Sequence, residues 1–124
     1  MSPQRVEMHV SRDSVVEQMM TIGDNRKYIT ALIVPSIPNL QNIAKTLDRH
    51  HLPHHELIKD DLIIEHLYQR FEKVQKELNP YERVVKFILL PEPFSVENKS
   101  LTSTLKVRRR IVMEHYKDEI DRMY

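Results

Sequence analysis

Two runs of apolar, partly β-branched residues, joined by a short polar segment, constrain the fold of this chain most strongly. The first run spans Ser14 to Ile22, the second spans Tyr28 to Val34, and Gly23 to Lys27 connects them. Such runs, bounded by turn-forming residues, predict an antiparallel hairpin in which Gly23 or Asn25 takes any positive φ that the turn requires. Because the second run is almost continuously apolar, we expect it to be the buried central strand.

Helical periodicity predicts several further elements. The clearest helix runs from Asp60 to Leu78, because its apolar residues recur at the spacing of one helical face and charged residues fill the other positions. The apolar face comprises Leu62, Ile63, Ile64, Leu67, Tyr68, Phe71, Val74 and Leu78. An N-terminal helix is predicted with Ser2 as its cap and Pro3 at its first position. Another helix is expected after Pro35, with Leu40, Ile43, Ala44 and Leu47 on its buried face.

A third strand and a final helical segment complete the expected domain. Val84 to Leu90 is largely apolar, follows the helix-breaking segment Asn79 to Arg83 and ends at Pro91. A loop comes next, and from Arg108 onward the apolar spacing predicts one final helix or two shorter ones. The fold class is therefore predicted to be α+β: a small sheet, made of the antiparallel hairpin plus a third strand, covered by helices.

Composition excludes several functional classes. The chain has 124 residues, enough for one domain, and its formal net charge of +1 gives no global field that would attract nucleic acid or an anionic membrane. It contains no cysteine, which excludes disulfides and thiol chemistry and fits a cytoplasmic setting. Its apolar runs are too short to form a transmembrane segment, and the N-terminus lacks the apolar core of a signal peptide.

Gly23 is the only glycine in the sequence. Phosphate-binding loops and dinucleotide-binding fingerprints each require several glycines, so neither can be present. If this chain contacts a nucleotide, another protein segment must hold most of it.

Four histidines between His50 and His55 invite comparison with a metal site. Adjacent histidine pairs point in different directions, however, and Pro53 marks a loop. We therefore interpret this segment as a surface linker between helices and predict no metal site.

The segment from Ser100 to Arg110 is the main candidate for function. It is a turn rich in serine and threonine that presents one lysine, Lys106, and then enters a basic run. Hydroxyl groups supply donors without bulk and lysine supplies a compact charge, a combination that suits contact with a phosphate or a carboxylate. Local chemistry alone also fits a solvated loop at the start of a helix.

The same segment resembles the C-terminal motif of adenylate-forming acyl-CoA synthetases, in particular the long-chain fatty acid:CoA ligases. That motif reads roughly Glu-Leu-Thr-Pro-Thr-Leu-Lys, followed by an apolar residue, a basic residue and arginine. The matching residues are Leu101, Thr102, Thr104, Leu105, Lys106, Val107, Arg108 and Arg109. Two positions depart: Ser100 replaces an acidic residue, and Ser103 replaces proline, which should make the turn less rigid. Further likeness lies in Ile22-Gly23-Asp24, Asn79-Pro80-Tyr81-Glu82 and Val96-Glu97-Asn98.

The resemblance spans the whole chain and implies that residues 1–124 form the mobile C-terminal domain of such a ligase. The large N-terminal domain that binds ATP and the fatty acid, and the hinge, would lie outside this sequence, so Met1 would be a truncated start and the fragment alone inactive. The implied reaction converts ATP, fatty acid and coenzyme A (CoA) to acyl-CoA, AMP and pyrophosphate through an acyl-adenylate. ATP and Mg²⁺ would be held mainly by the absent domain, and the intact enzyme would be cytoplasmic, with peripheral membrane association left open.

The resemblance also assigns roles to individual residues. Lys106 would be the catalytic cation, contacting the fatty carboxylate and the α-phosphate during adenylation. Thr102 and Thr104 would support the loop near the substrate, and Arg108 and Arg109 are candidate contacts for the phosphates of CoA.

Two alternative functions remain open. The chain could belong to an adenylating ligase for a different acid, since no acyl pocket can be identified in it. It could also be a free-standing binding module, although nucleic-acid binding would require exposed aromatic residues between cations. We expect the aromatic residues to occupy core faces or strand positions instead, namely Tyr68, Phe71, Tyr81 and Phe87.

Overall fold

The computed structural model of the chain describes residues 3–23 and 26–124. Its elements in chain order are α1 (Pro3–Val10), β1 (Val16–Ile22), β2 (Ile29–Pro35), α2 (Ile37–Thr46), α3 (His54–Leu57), α4 (Asp61–Val74), a 3-10 turn (Pro80–Glu82), β3 (Val84–Leu89), α5 (Arg109–His115) and α6 (Lys117–Arg122). The predicted order of helices and strands is confirmed, and the last segment forms two short helices. The expected cap Ser2 lies outside the described residues.

The sheet has the order β1-β2-β3. β1 and β2 form the predicted antiparallel hairpin, with Met20 opposite Leu32, while β3 runs parallel to β2, with Leu89 opposite Ile33. All seven residues of β2 are buried, which confirms it as the central strand. Gly23 does not have a positive φ, so the hairpin does not use it in that way, and Asn25 lies outside the described residues.

Two apolar layers cover the two faces of the sheet. Since side chains of a strand alternate between faces, Ala31 and Ile33 of β2 point to one layer, and Leu32 and Val34 point to the other. The first layer includes buried residues of α2 and α4, such as Leu40 and Leu67, whereas the second contains Val112 of α5 and Ile120 of α6. The fold is therefore an α+β domain with helices on both faces of a small sheet.

Helix α4 follows the predicted periodicity with two exceptions: it ends at Val74, so Leu78 lies beyond the helix, and Leu62 is not on the buried face. Asp60 caps the helix, because its carboxylate accepts a hydrogen bond from the Ile63 amide at 3.1 Å. Ile63, Leu67 and Phe71 are buried at intervals of four residues. Leu62 remains 44% exposed, so its placement on the buried face was wrong. One residue before Ile63, it is rotated about 100° away around the helix axis.

Arg70 attaches α4 to the turn that precedes β1. Its guanidinium donates to both oxygens of the buried Asp13 carboxylate, at 2.9 and 2.7 Å. The Val15 amide donates to the same carboxylate at 3.0 Å, so the buried charge is paired and hydrogen-bonded. This contact fixes the first layer of helices against the start of the sheet.

The histidine-rich segment lies on the surface between helices, whereas one aromatic residue departs from expectation. His50 and His51 lie in an exposed turn, and the short helix α3 begins at His54. Over residues 3–23 and 26–124, no three His, Asp or Glu side chains lie together as a metal ion would require.

Tyr81 is 76% exposed, so its predicted core position was wrong, whereas Phe71 and Phe87 are buried as expected. No helix among the described residues is long and apolar enough to cross a bilayer.

Candidate functional site

The loop that follows β3 crosses from one edge of the sheet to the other. Leu90 still pairs with β2, donating to the Ile33 carbonyl at 2.8 Å. The chain then reaches β1, where the Gln18 amide holds Phe94 with two hydrogen bonds: the Phe94 amide donates to Oε1 at 2.7 Å, and Nε2 donates to the Phe94 carbonyl at 3.1 Å. Phe94 itself is buried. The segment that leads to Lys106 is therefore anchored to the sheet before it turns outward.

A compact polar turn connects Phe94 with the lysine segment. The Ser95 amide donates to Ser100 Oγ at 2.8 Å, and the Asn98 side-chain oxygen accepts from the Ser100 amide at 3.1 Å. Asn98 Oδ1 also accepts from the Ser100 hydroxyl, and Lys99 has a φ of 67°. Ser100 is buried, so the serine found in place of an acidic residue acts here as a local hydrogen-bonding group.

Lys106 lies in a tight hairpin loop. Leu101 and Val107 form an antiparallel bridge, and the Thr102 amide donates to the Lys106 carbonyl at 2.8 Å. The Leu105 amide donates to the Thr102 carbonyl at 2.9 Å, which closes a β-turn with Ser103 at its second position. Proline is favoured at that position because its φ is preset. The turn closes with serine there as well.

Leu105 adopts a left-handed conformation, with φ 65°. This position of a short hairpin loop usually carries glycine, and a side chain there costs about 1–2 kcal/mol. Leu105 is also 68% exposed, although it is a large apolar residue. Local strain and an exposed apolar side chain thus lie directly before Lys106, and backbone strain of this kind clusters at active sites and ligand clamps.

Two threonine hydroxyls support the Lys106 backbone. Thr102 Oγ1 accepts a hydrogen bond from the Lys106 amide at 3.1 Å and lies 3.0 Å from Thr104 Oγ1. The Lys106 side chain is exposed, and its ammonium has no ion pair or hydrogen bond with any residue of the described ranges. The loop therefore holds the lysine backbone in place and leaves its charge available to an external anion.

Arg109 fixes the end of the loop to the rest of the domain. Its guanidinium donates to both oxygens of the Glu7 carboxylate, at 2.8 and 2.9 Å, and to the Thr21 carbonyl at 3.0 Å. The Thr21 amide donates to Glu7 at 3.2 Å, which links α1, β1 and α5. Arg108 and Arg110 flank Arg109 and are exposed, and Arg110 Nε lies 3.5 Å from Glu114 Oε1. Sequence reasoning missed the partner Glu7, because no local pattern pairs residues so far apart in the chain.

A cavity of about 50 Å³ lies beneath the loop, lined in part by Phe94, Ser100 and Tyr116. Burial, together with the negative charges of Glu92 and Glu119, raises the pKa of the Tyr116 phenol above its ordinary value of 10.0. The phenol is therefore neutral at physiological pH. Sequence reasoning used Tyr116 only as an apolar position of the final helical segment and assigned no role to its phenol.

Comparison with known proteins identifies the family of this domain. The profile of the AMP-binding enzyme C-terminal domain matches residues 1–124, the whole chain. The chain belongs to this family. It is 29% identical over 98% of its length to a chloroplastic long-chain-fatty-acid–[acyl-carrier-protein] ligase of Arabidopsis thaliana, and 29% identical over 99% of its length to long-chain-fatty-acid–CoA ligase 5 of Mus musculus. It spans 15% and 18% of the length of these two relatives.

Solved structures confirm the fold. The A-PCP didomain of a carboxylic acid reductase from Segniliparus rugosus, solved in complex with AMP, aligns with 99% of this chain at a TM-score of 0.78 and 22% identity. The adenylation domain of a carboxylate reductase from Mycobacterium chelonae aligns with 98% of this chain, at a TM-score of 0.78 and 25% identity. The chain covers 16% and 17% of these two structures. The predicted α+β architecture is thus that of the corresponding part of adenylating enzymes.

Proposed function

We propose that this chain is the C-terminal catalytic-lysine domain of a long-chain fatty acid:CoA ligase and that Lys106 is its catalytic cation. The observation that carries the proposal is the exposed ammonium of Lys106, which has no partner within residues 3–23 and 26–124 and lies in a hairpin loop whose backbone is fixed by Thr102. The family assignment and the long-chain ligases among the relatives support the reaction class.

Lys106 would act in the first half-reaction. There the fatty carboxylate attacks the α-phosphate of ATP, a bond forms between them, and pyrophosphate leaves. Two anions must approach each other while negative charge develops on the phosphate oxygens, so a positioned cation lowers the barrier. An ammonium on a flexible stem is slim enough to reach between two anions. Thr102 and Thr104 would keep the loop in the shape that aims it.

Other residues of the loop would serve the contact with the larger domain and the second half-reaction. Exposed Leu105 would become buried against the N-terminal domain when Lys106 enters the site. After adenylation, rotation of the C-terminal domain would withdraw Lys106 and let the CoA thiol attack the acyl-adenylate and release AMP. Arg108, whose side chain is exposed, would contact CoA phosphates, and Arg109 would add only the donors that Glu7 and Thr21 leave unused.

ATP, the fatty acid and CoA would bind mainly to the larger domain. The Mg²⁺ that accompanies ATP is usually held by the phosphates and one or two carboxylates, so we assign it, with ATP, to that domain as well. This chain would contribute the Lys106 ammonium and the domain rotation that separates the two half-reactions.

The proposal is tested by fatty-acid-dependent ATP–pyrophosphate exchange in a full-length enzyme that contains this chain. Lys106→Ala is expected to lower exchange by about a hundredfold or more, since it removes a charge at the developing anion. Lys99→Ala is the matched control, because Lys99 is an exposed lysine of the same loop region. Exchange at the wild-type rate in Lys106→Ala would contradict the proposal and favour a binding module.

A second candidate differs in the acceptor and is supported by the relative named as an acyl-carrier-protein ligase. In that case the thiol would belong to the prosthetic group of a carrier protein instead of free CoA. AMP release from the acyl-adenylate, measured with CoA and with a pantetheinylated carrier protein in parallel, distinguishes the two acceptors.

A further inference from the structure

A groove with a volume of about 580 Å³ lies apart from the Lys106 loop, and none of residues 100–110 lines it. Five consecutive residues, Phe87 to Pro91, form its floor. Side chains of a strand alternate between the two faces of a sheet, so a cavity on one face would contact only every second residue. A floor of consecutive residues means that the groove follows the edge of β3 itself.

The edge of β3 that borders this groove lacks a neighbouring strand among the described residues. Leu90 donates its amide to Ile33 of β2, and alternate residues of a parallel strand point their backbone groups to the same side. The N–H and C=O groups of Phe87 and Leu89 therefore point away from β2 and into the groove. Neither residue makes another backbone hydrogen bond within the described ranges.

Two walls rise beside this edge and differ in charge. The wall from α3 and α4 presents Ile58 and Ile64 together with the cation Lys59, and its lining residues include no carboxylate. The wall from the C-terminal helices presents Met123 together with the cation Arg122 and one carboxylate, Glu119. In the part of the chain that the structure describes, the Lys59 and Arg122 side chains form no ion pair. The groove is thus apolar at its base, cationic on the wall that carries Lys59, and of mixed charge on the wall that carries Glu119 and Arg122.

The recessed edge restricts what can bind to it. Phe87 and Leu89 are each only 5% exposed, so the edge lies below the two walls. A second copy of this domain would present an equally recessed edge, and two such edges cannot approach to the strand spacing of about 4.8 Å. A fatty acid could accept from the free amides but could not donate to the free carbonyls. An isolated extended peptide satisfies both groups and fits between the walls.

We propose that this groove binds an extended segment of a partner protein, which adds to β3 as a fourth strand. The floor spans roughly 13 Å, so the bound segment contains about five residues. Its apolar side chains alternate with acidic ones, and the acidic side chains lie toward Lys59. Main-chain hydrogen bonds to Phe87 and Leu89 provide affinity, and the walls provide selectivity.

The test uses the 124-residue chain and a pool of fluorescent, end-blocked heptapeptides in which Val, Ile or Leu alternates with Asp or Glu. Fluorescence anisotropy should show saturable binding with a dissociation constant below about 1 mM. A matched pool with Lys or Arg in place of the acids should bind roughly tenfold more weakly because of like-charge repulsion. Methylating the backbone nitrogens of alternate peptide residues, in the register that faces β3, should weaken binding by about tenfold, because each donor is lost.

Lys59→Glu should weaken binding of the acidic peptide pool by roughly tenfold. Lys117→Glu makes the same change in charge outside the groove lining and should leave this binding unchanged. Amide exchange provides the residue-level readout: peptide should slow exchange at Phe87 and Leu89 by about tenfold or more and change it much less at Leu90, which already donates to Ile33.

Four results would overturn the proposal. They are no binding by the acidic pool, equal binding by the methylated peptides, concentration-dependent dimerisation that protects Phe87 and Leu89 without peptide, and protection of both amides by laurate alone. The third would assign the groove to a second copy and the fourth to an amphiphilic small molecule.

Discussion

The central strand and the lysine loop are held in place by different forces. β2 is buried at every residue between two apolar layers, so burial and the strand ladders stabilise it. The hairpin around Lys106 is largely exposed and depends on a few hydrogen bonds between Thr102 and its neighbours and on the contact of Arg109 with Glu7. Substitutions in the strand should therefore affect the stability of the whole domain, whereas substitutions in the loop should mainly affect catalysis.

The largest expected change is in the strand. Leu32→Ala removes a fully buried side chain from the layer shared with α5 and α6 and should lower the free energy of unfolding by about 2–5 kcal/mol. Urea denaturation measures the effect. Leu62→Ala, the same substitution at a residue that is 44% exposed, should cost less than about 1 kcal/mol. Equal losses in the two variants would contradict the division between strand and surface.

A smaller effect is expected at the junction of the two regions. Arg109→Ala leaves the Glu7 carboxylate without its bidentate partner and should cost about 1–3 kcal/mol of stability. It should also slow adenylation in the full-length enzyme, because the end of the loop loses its attachment to α1. In a double-mutant cycle with Glu7→Gln the two stability losses should not add. Strict additivity would show that this contact does not anchor the loop.

Within the loop, Thr102→Val tests the hydroxyl that accepts from the Lys106 amide. The loss of this hydrogen bond should cost roughly 0.5–1.5 kcal/mol and reduce pyrophosphate exchange more than it reduces the denaturation midpoint. Thr102→Ser keeps the hydroxyl and should retain most of the exchange activity. If valine and serine behave alike, the hydroxyl does not position the lysine.

The smallest effect concerns pH. Burial, Glu92 and Glu119 raise the pKa of Tyr116 in the folded state, so the folded chain keeps this proton at a pH where the unfolded chain loses it. The contribution to stability is full below pH 10.0 and decreases as the pH rises through the folded-state pKa. Denaturation from pH 9 to 11 should show a shallower decrease for Tyr116→Phe than for the wild type. Parallel profiles would exclude this contribution.

Much of the fold follows from local patterns. The apolar runs predicted the β1-β2 hairpin and the complete burial of β2. Helical spacing predicted α4 with its buried Ile63, Leu67 and Phe71. Spacing alone could not identify Leu62 as exposed, because the apolar stripe of the sequence is wider than the surface that the helix buries. The parallel direction of β3 depends on how the helices between β2 and β3 return the chain to the sheet.

The candidate site was predictable in its residue types but not in its support. The resemblance pointed to Lys106 and the threonines near it, and their roles stay predictions. Arg109 and Glu7 lie 102 positions apart, and Asp13 and Arg70 lie 57 apart, so no local periodicity links them. The positive φ of Leu105 could not be predicted either, because neither glycine nor asparagine occupies that position.

The central claim is that a fixed backbone presents the Lys106 charge for adenylation alone. Its most direct test is the ratio of the two half-reaction rates in a full-length Lys106→Ala enzyme: acyl-adenylate formation from ATP, and acyl-CoA formation from supplied acyl-adenylate. We predict a fall of about a hundredfold or more in the first rate and little change in the second. An equal fall in both rates, or no fall in either, would contradict the account.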